Sequence, residues 1–243
     1  MMSRCFIIFA LLGCLCSPLA LGKPLLIAVA SNFYHPLSQV LKEDIQRGHV
    51  RLVAAASGVL YQQILRGAPF DVFFSADLAY PSQLYERDLS SAPVHYTPGI
   101  LVWWQPEEKE TVKTERPFVI PHPELAPYGR VASQQTQYAN QQHWVTSDNV
   151  LHAFQLMNLG HSAGGFTAKS ILIHAAQRSG DPKYLVYQAI PDPTKELAQY
   201  AVILKRNPAD ETARRIVQQI TDDAAQCKLV ALGYQPLDPK GVC

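Results

Sequence analysis

The chain has 243 residues, of which 48% are hydrophobic and 17% are charged. This composition is typical of a globular protein with one large domain or two modest lobes, and no segment has the composition of a disordered chain. Without residues 1–22, which hold one basic residue and no acidic one, 20 Lys and Arg face 20 Asp and Glu. A neutral chain without a basic patch argues against a nucleic-acid or membrane-surface partner.

Residues 1–22 are predicted to be a secretory signal peptide. Arg4 precedes an apolar run over residues 5–16, which is too short to span a bilayer as a helix. Ala20-Leu21-Gly22 then fits a small-x-small cleavage site. We therefore expect the mature protein to be exported. The alternative is a lipoprotein attached through Cys14, which follows a weak lipobox.

Three of the five cysteines lie in the signal region, which leaves Cys227 and Cys243 in the mature chain. In an exported protein an isolated pair favours a disulfide over a metal site or a nucleophile. We expect this disulfide to anchor the C-terminal tail.

Two similar corners follow the first two predicted strands. A buried strand over residues 24–30 ends at Ser31-Asn32, where a helix is predicted to begin and to run to about residue 47. A second buried strand over residues 50–56 ends at Ser57-Gly58, with Ser57 as the N-cap of the next helix. A polar side chain beside the N–H groups of a helix start can form an anion site. The alternative for both corners is an ordinary helix cap.

Strands and helices alternate along the rest of the chain. Further strands are predicted at 71–75, 99–104, 163–168, 185–190 and 200–204, and helices at 80–87, 150–159, 171–178 and from 207 onwards. Residues 90–98 are predicted to be a loop, and three prolines exclude a regular helix before Tyr128. The alternation predicts an α/β fold with mainly parallel sheets. In such folds ligands bind where the carboxyl ends of neighbouring strands meet.

The sequence contains no reactive constellation. It has no Gly-x-Ser-x-Gly elbow, no P-loop, no Gly-x-Gly-x-x-Gly after a strand and no HExxH motif, and its eight histidines are scattered. Trp103-Trp104 could stack on a sugar, but within an apolar strand core packing is the better interpretation. Polar corners without reactive groups favour a binding protein over an enzyme.

Six segments together resemble one known family. They are AVASNF at 28–33, AAASGVLYQQILRGAPFDVFFSAD at 54–77, APYG at 126–129, DNVLHAFQLMNLGHSAGGFTAKS at 148–170, YAVILK at 200–205 and GY at 233–234. In this order and spacing they look like the periplasmic molybdate-binding protein of an ABC transporter. The resemblance covers essentially the whole mature chain, and the segment at 54–77 is its most specific part.

The resemblance implies a type II periplasmic binding protein fold. Two lobes, each with a mainly parallel sheet flanked by helices, would be joined by two crossing strands and would close around one tetrahedral oxyanion. Lobe I would hold residues 23–97 and 203–243, and lobe II would hold residues 98–202. The crossing strands would be Gly99–Trp104 and Tyr200–Leu204.

The resemblance also implies the ligand contacts. The five expected contacts are the side chains of Ser31, Asn32 and Ser57 and the backbone N–H groups of Tyr128 and Val150. A late tyrosine that some members use corresponds here to Ala168, which has no hydroxyl. This chain is therefore closer to members with an asparagine beside the first contact, and Asn32 is the predicted fifth contact.

The implied function is to capture molybdate, and tungstate as well, and to deliver it to a membrane permease. The protein would act as a periplasmic monomer without a cofactor, since the metal is bound as its oxyanion. A dianion held without Lys or Arg requires neutral donors and helix starts. Selectivity over sulfate would come from cavity size. Two alternatives stay open: a binder of another tetrahedral oxyanion such as sulfate, and an exported enzyme with unrecognised catalytic residues.

Overall fold

The computed structural model describes residues 23–106, 116–138, 143–191, 195–206 and 211–238. The expected signal peptide and Cys243 lie outside these ranges. The described residues form two lobes, each built on a five-stranded sheet. None of the helices in these ranges has the length and apolar character that a membrane-spanning helix needs.

Ten strands and nine α-helices make up the described part of the chain. The strands are β1 (Leu25–Ala30), β2 (Val50–Ala55), β3 (Val72–Ser75), β4 (Val94–Pro98), β5 (Leu101–Trp104), β6 (Phe118–Pro121), β7 (Trp144–Ser147), β8 (Gly164–Ala168), β9 (Gln188–Ile190) and β10 (Ala198–Ile203). The helices are α1 (Tyr34–Val40), α2 (Lys42–Gln46), α3 (Ser57–Leu65), α4 (Ala79–Glu86), α5 (Pro127–Ser133), α6 (Val150–Asn158), α7 (Lys169–Ser179), α8 (Glu211–Thr221) and α9 (Asp223–Ala231). Short 3₁₀ helices cover Thr136–Tyr138 and Pro182–Leu185.

Both sheets are mixed. The first has the order β2-β1-β3-β10-β4, and the second has the order β7-β6-β8-β5-β9. In the first sheet β1 pairs parallel with β2 and β3, whereas β10 runs antiparallel to β3 and β4. In the second sheet β6 pairs parallel with β7 and β8, whereas β5 runs antiparallel to β8 and β9. The α/β fold with two lobes is confirmed, and each sheet combines parallel with antiparallel pairing.

The chain passes between the lobes twice, and these crossings explain the antiparallel strands. It leaves the first sheet after β4 to form β5, and it returns after β9 to form β10. The two crossings touch where the Gly99 N–H donates to the Leu197 carbonyl at 2.8 Å. The expected boundary of lobe II places residues 198–202 in that lobe. In the structure the whole of β10 pairs with β3 and β4, so these residues lie in the first sheet.

Alternate side chains of the central strands pack on opposite faces of each sheet. Ile27 and Val29 lie in one core of the first lobe, while Ala28 lies in the other. In the second lobe Trp103 and Trp104 likewise enter different cores. Trp104 is fully buried and Trp103 is 7% exposed, which supports core packing and not a sugar-stacking surface. This period of two is what a strand covered on both faces requires.

Three local predictions were wrong. The single helix expected to run to residue 47 is two helices, because the chain breaks at the buried Leu41. The last helix is also divided, and Asp222 caps α9 by accepting from the Ala225 N–H at 2.7 Å. Residues expected in a loop form β4, since β10 supplies backbone partners for them.

Candidate functional site

Strand ends of the first lobe and helix starts of the second lobe face each other across one small cavity. The empty space within it, counted together with the open solvent at its mouth, is about 190 Å³. Its lining residues are Ala30, Ser31, Asn32, Ala55, Ala56, Ser57, Ala76, Ala126, Pro127, Tyr128 and Val150. The structure therefore brings together all five residues that were predicted as oxyanion contacts. None of the described residues that line the cavity is Lys, Arg, His, Asp or Glu.

Hydrogen bonds hold the two serine corners of the first lobe against each other. The Ser31 N–H donates to the Ala55 carbonyl at 3.0 Å, which ties the end of β1 to the end of β2. The Ser57 Oγ accepts from the Ala76 N–H at 3.0 Å, which ties the end of β2 to the end of β3. Because a hydroxyl both accepts and donates, Ser57 keeps its O–H as a donor toward the cavity.

Neither serine is the helix cap that the sequence predicted. Ala56 is the N-cap of α3, and Ser57 is the first residue of the helix. At the first corner α1 begins only at Tyr34, after a turn over residues 31–33. Ser57 therefore lies at a helix start, whereas Ser31 lies in a turn. The N-cap preference of serine correctly predicted where the two strands end. It wrongly predicted that the serine side chains cap the helices.

The second lobe lines the cavity with the starts of two helices. Tyr128 follows Pro127 at the start of α5, and Val150 is the first residue of α6. The Asn149 side chain caps α6 by accepting from the N–H groups of Leu151 and His152, each at 3.0 Å. This cap does not use the Val150 N–H. Both helix starts direct the positive ends of their dipoles toward the cavity edge.

The side chain of Asn32 is committed to a buried network at the crossing segments. Its Nδ2 donates to Gln199 Oε1 at 3.0 Å and to the Tyr234 hydroxyl at 3.1 Å, with the Tyr128 hydroxyl at 3.5 Å. The main-chain carbonyl of Asn32 accepts from the hydroxyls of Tyr234 at 2.8 Å and Ser170 at 3.1 Å. A side-chain amide has two N–H donors, so both are used here. The group that Asn32 can still offer to the cavity is its backbone N–H.

We call Asn32, Tyr96, Tyr128, Gln199 and Tyr234 the hinge network. The Tyr96 hydroxyl donates to Gln199 Oε1 at 2.7 Å, and Gln199 Nε2 donates to the Tyr128 hydroxyl at 3.2 Å. Burial raises the pKa of Tyr96 and of Tyr234 well above the ordinary value, so the network stays neutral. Any side chain at Gly99 would collide with Tyr128 and Gln199. The members lie far apart in the sequence, which carries no local signal for this network.

An ion pair joins the lobes beside the cavity. The Arg130 Nη2 lies 2.6 Å from Asp77 Oδ2, and its Nε lies 3.1 Å from Glu196 Oε2. The Ser75 hydroxyl donates to Asp77 Oδ1 at 2.9 Å. Burial raises the pKa of Asp77, whereas the hydrogen bonds from Ser75 and Arg130 oppose this shift. A further contact between the lobes is the hydrogen bond from the Gly58 N–H to the Leu125 carbonyl at 2.9 Å.

A pair of histidines forms another contact between the lobes. The rings of His35 in α1 and His174 in α7 stack at 3.9 Å between centroids, with 13° between their planes. Burial, followed by the charges of His174 and Arg178, lowers the pKa of His35 to about 4. Burial and Arg178 also lower the pKa of His174. Both rings are therefore neutral near pH 7.

The histidines that could have served as ligand contacts lie elsewhere. His122 and His152 are absent from the described residues that line the cavity. The His122 Nδ1 accepts from the Glu124 N–H at 3.2 Å, and the His152 Nδ1 lies 3.4 Å from the Asp148 carboxylate. No group of three or more potential metal ligands occurs among the described residues.

Comparison with known proteins identifies relatives of this chain. Residues 25–235 match the family described as bacterial extracellular solute-binding protein. The molybdate-binding protein ModA of Rhodobacter capsulatus is 31% identical over 221 residues, which cover 84% of this chain and 85% of that protein. The molybdate-binding protein ModA of Azotobacter vinelandii is 27% identical over 225 residues, which cover 86% of this chain and 88% of that protein.

Solved structures agree with these relatives. The periplasmic molybdate-binding protein of Azotobacter vinelandii matches with a TM-score of 0.73 at 26% identity, covering 88% of this chain and 100% of that one. The sulfate-binding protein SubI of Mycobacterium tuberculosis matches with a TM-score of 0.61 at 13% identity, covering 89% of this chain and 87% of that one. The second match shows the fold alone. The chain therefore belongs to the bacterial extracellular solute-binding proteins, within which it is a ModA-like protein and not an enzyme.

Proposed function

We propose that this protein binds molybdate, and tungstate as well, in the cavity between its lobes and delivers it to the permease of an ABC transporter. The observation that carries this proposal is an uncharged cavity built by both lobes from three helix starts and two serine hydroxyls. The two ModA relatives are named as molybdate-binding proteins, which supports this choice of anion.

The proposed contacts are the hydroxyls of Ser31 and Ser57 and the backbone N–H groups of Asn32, Tyr128 and Val150. All five groups are hydrogen-bond donors. A fully deprotonated tetrahedral dianion can accept from such donors at each of its oxygens. Hydrogen phosphate carries a proton that needs an acceptor, so the site disfavours it. Sulfate matches in charge and shape, and its shorter bonds to oxygen would leave it loosely held.

Titration calorimetry tests the choice of anion. We expect molybdate and tungstate to bind with one site per chain, and a large excess of sulfate or phosphate to compete weakly. Equal affinity for sulfate would favour the alternative of a general sulfate binder. No heat and no shift of the melting temperature with molybdate would contradict the proposed function.

The proposal includes export through the signal peptide at residues 1–22, in agreement with the periplasmic location named for the Azotobacter vinelandii structure. Mass spectrometry of the secreted protein tests it, because cleavage gives a mature chain that begins at Lys23. A lipid-modified Cys14 at the N-terminus would support the lipoprotein alternative instead.

We also propose that Cys227 pairs with Cys243. Cys227 is disulfide-bonded in the structure, and Cys243 is the only other cysteine outside the signal region. A loop of this length stabilises the fold by about 3 kcal/mol in the chain-entropy treatment. Thiol labelling of exported, denatured and unreduced protein should find no free thiol, and two free thiols would contradict the pair.

A further inference from the structure

We propose that Arg130 and Asp77 form a latch, an ion pair that assembles when the lobes close and that makes Arg130 a positioning residue for the bound anion. The latch rests on the proposed function, because it requires an anion that binds between the lobes. Neither residue lines the cavity. The latch acts through the relative position of the lobes and not through contact with the ligand.

Each partner lies close to a cavity residue of its own lobe. Asp77 follows Ala76, which lines the cavity and donates to the Ser57 hydroxyl. Arg130 lies two residues after Tyr128 in α5. The 2.6 Å contact therefore fixes the distance between the Ser57 side and the Tyr128 side of the cavity. Separation of the lobes would pull these two sides apart and break the pair.

The charges explain why an ion pair is needed at this place. The Asp77 side chain is only 3% exposed, so little water screens its carboxylate. A bound dianion next to this carboxylate would meet a like charge, which costs free energy at low dielectric. The Arg130 guanidinium compensates the charge of the Asp77 carboxylate through Nη2. Its Nε contacts the Glu196 carboxylate, which keeps the guanidinium in position. Arg130 thus balances the charge near a cavity that has no cation of its own among the described residues.

Because of this arrangement, replacement of Arg130 and replacement of Asp77 should reduce the affinity for the anion by different amounts. Replacement of Arg130 removes the contact between the lobes and also leaves the buried Asp77 carboxylate uncompensated beside the anion. Replacement of Asp77 by asparagine removes the ion pair but leaves no such charge. The loss of affinity should therefore be larger for Arg130→Gln than for Asp77→Asn, and the double variant should resemble Asp77→Asn.

Calorimetry with molybdate on these three variants tests the latch. We expect the Kd to rise about ten- to a hundredfold for Arg130→Gln, since truncation of one partner strands the other charge. We expect a rise of less than about tenfold for Asp77→Asn and for the double variant. Stopped-flow fluorescence should assign most of these changes to faster release of the anion.

Arg215→Gln is the matched control. Arg215 lies 3.1 Å from Asp44, and both residues belong to the first lobe, so closure does not form this pair. We expect its molybdate affinity to equal that of the wild type.

The melting temperature separates a latch from a merely structural ion pair. A latch that forms on closure should lower the melting temperature of Arg130→Gln with molybdate more than without it. Equal losses in both states, or wild-type affinity in Arg130→Gln, would overturn the latch while the proposed function stands. A wild-type protein that does not bind molybdate would overturn both.

Discussion

The two lobes form the cavity in different ways. The first lobe presents two serine side chains, Ser31 and Ser57, at the ends of adjacent parallel strands. The second lobe presents the main chain at the starts of α5 and α6. There the side chain of Tyr128 points into the hinge network, and the side chain of Val150 lies in the core.

This difference shows where the ligand specificity can be changed by substitution. In the first lobe a single substitution at Ser31 or Ser57 would remove a proposed donor, whereas the proposed backbone N–H of Asn32 would remain. In the second lobe the proposed donors are the backbone N–H groups of Tyr128 and Val150, which would stay in place as long as the helices keep their positions. We therefore expect substitutions at Ser31 and Ser57 to alter ligand binding directly. Substitutions at the starts of α5 and α6 would alter it only by moving the helices.

The largest effect is expected from Asn32→Asp. The carboxylate replaces the donor that bonds Gln199 and Tyr234, and it places a negative charge beside a bound dianion with no cavity cation to neutralise it. We expect a loss of affinity larger than about a hundredfold, measured by calorimetry with molybdate. Asn158→Asp, which adds the same charge on α6 away from the cavity, should bind normally. An Asn32→Asp variant with wild-type affinity would show that the pocket is placed wrongly.

Ser57→Ala should have the next largest effect. It removes one hydrogen bond to the charged ligand, worth about 1.5–3 kcal/mol, or about ten- to a hundredfold in Kd. It also leaves the Ala76 N–H without its acceptor. Ser179→Ala is the control, because this exposed hydroxyl donates to the Ala175 carbonyl and accepts from the Asp181 N–H, and Ser179 is not among the described residues that line the cavity. Unchanged affinity in Ser57→Ala would exclude the Ser57 hydroxyl as a contact of the anion.

The pH dependence separates the cavity from the lobe contacts around it. The described cavity residues include no histidine or carboxylate, whereas one contact between the lobes is the His35–His174 stack, in which burial and Arg178 lower the pKa of both rings. The pKa of His35 is about 4 in this structure, against an ordinary value of about 6.5 for a ring that separation of the lobes would expose. The open form therefore binds more protons below about pH 6.5, and closure weakens as the pH falls toward 4.

We expect constant affinity between about pH 7 and 8.5 and a loss of up to about tenfold per pH unit below about 6.5. His35→Gln should flatten the acid side of this profile. A histidine that bound the anion directly would give the opposite sign, with affinity falling as the pH rises through about 6.5. That result would contradict an uncharged cavity.

Val150→Ala should have the smallest effect on binding. The proposed contact is the backbone N–H, so we expect less than about a twofold change in Kd. The side chain is 3% exposed, and its truncation should cost about 1–3 kcal/mol of stability, seen as a lower melting temperature. A loss of affinity as large as that of Ser57→Ala would mean that the second lobe also binds through side chains.

Local chemistry allowed the sequence to predict the corners of the site. Strand, polar turn and helix start follow one another within a few residues at Ser57 and at Val150, so their placement needs no knowledge of the rest of the chain. The resemblance to a known family then selected five residues that all line one cavity.

Long-range pairing was not predictable in the same way. The Asn32 side chain was expected to face the ligand, and instead it bonds Gln199 and Tyr234, which lie 167 and 202 residues further along the chain. The Arg130–Asp77 pair joins residues 53 positions apart in different lobes. β4 was missed for the same reason, because its partner strand β10 comes about a hundred residues later. Periodicity carries no information on such partners.

The place of β10 has a consequence for the order in which the chain folds. The strands of the second sheet, β5 to β9, all lie between residues 101 and 190, so this lobe is a continuous insertion. The first sheet is complete only after β10 has been added, because β10 is the strand that joins β4 to this sheet. Although the first lobe contains the N-terminal strand, it is the last to be completed. A nascent chain that lacks β10 thus contains all the described residues that line the cavity, but it lacks Gln199, which bonds the side chains of Asn32 and Tyr128.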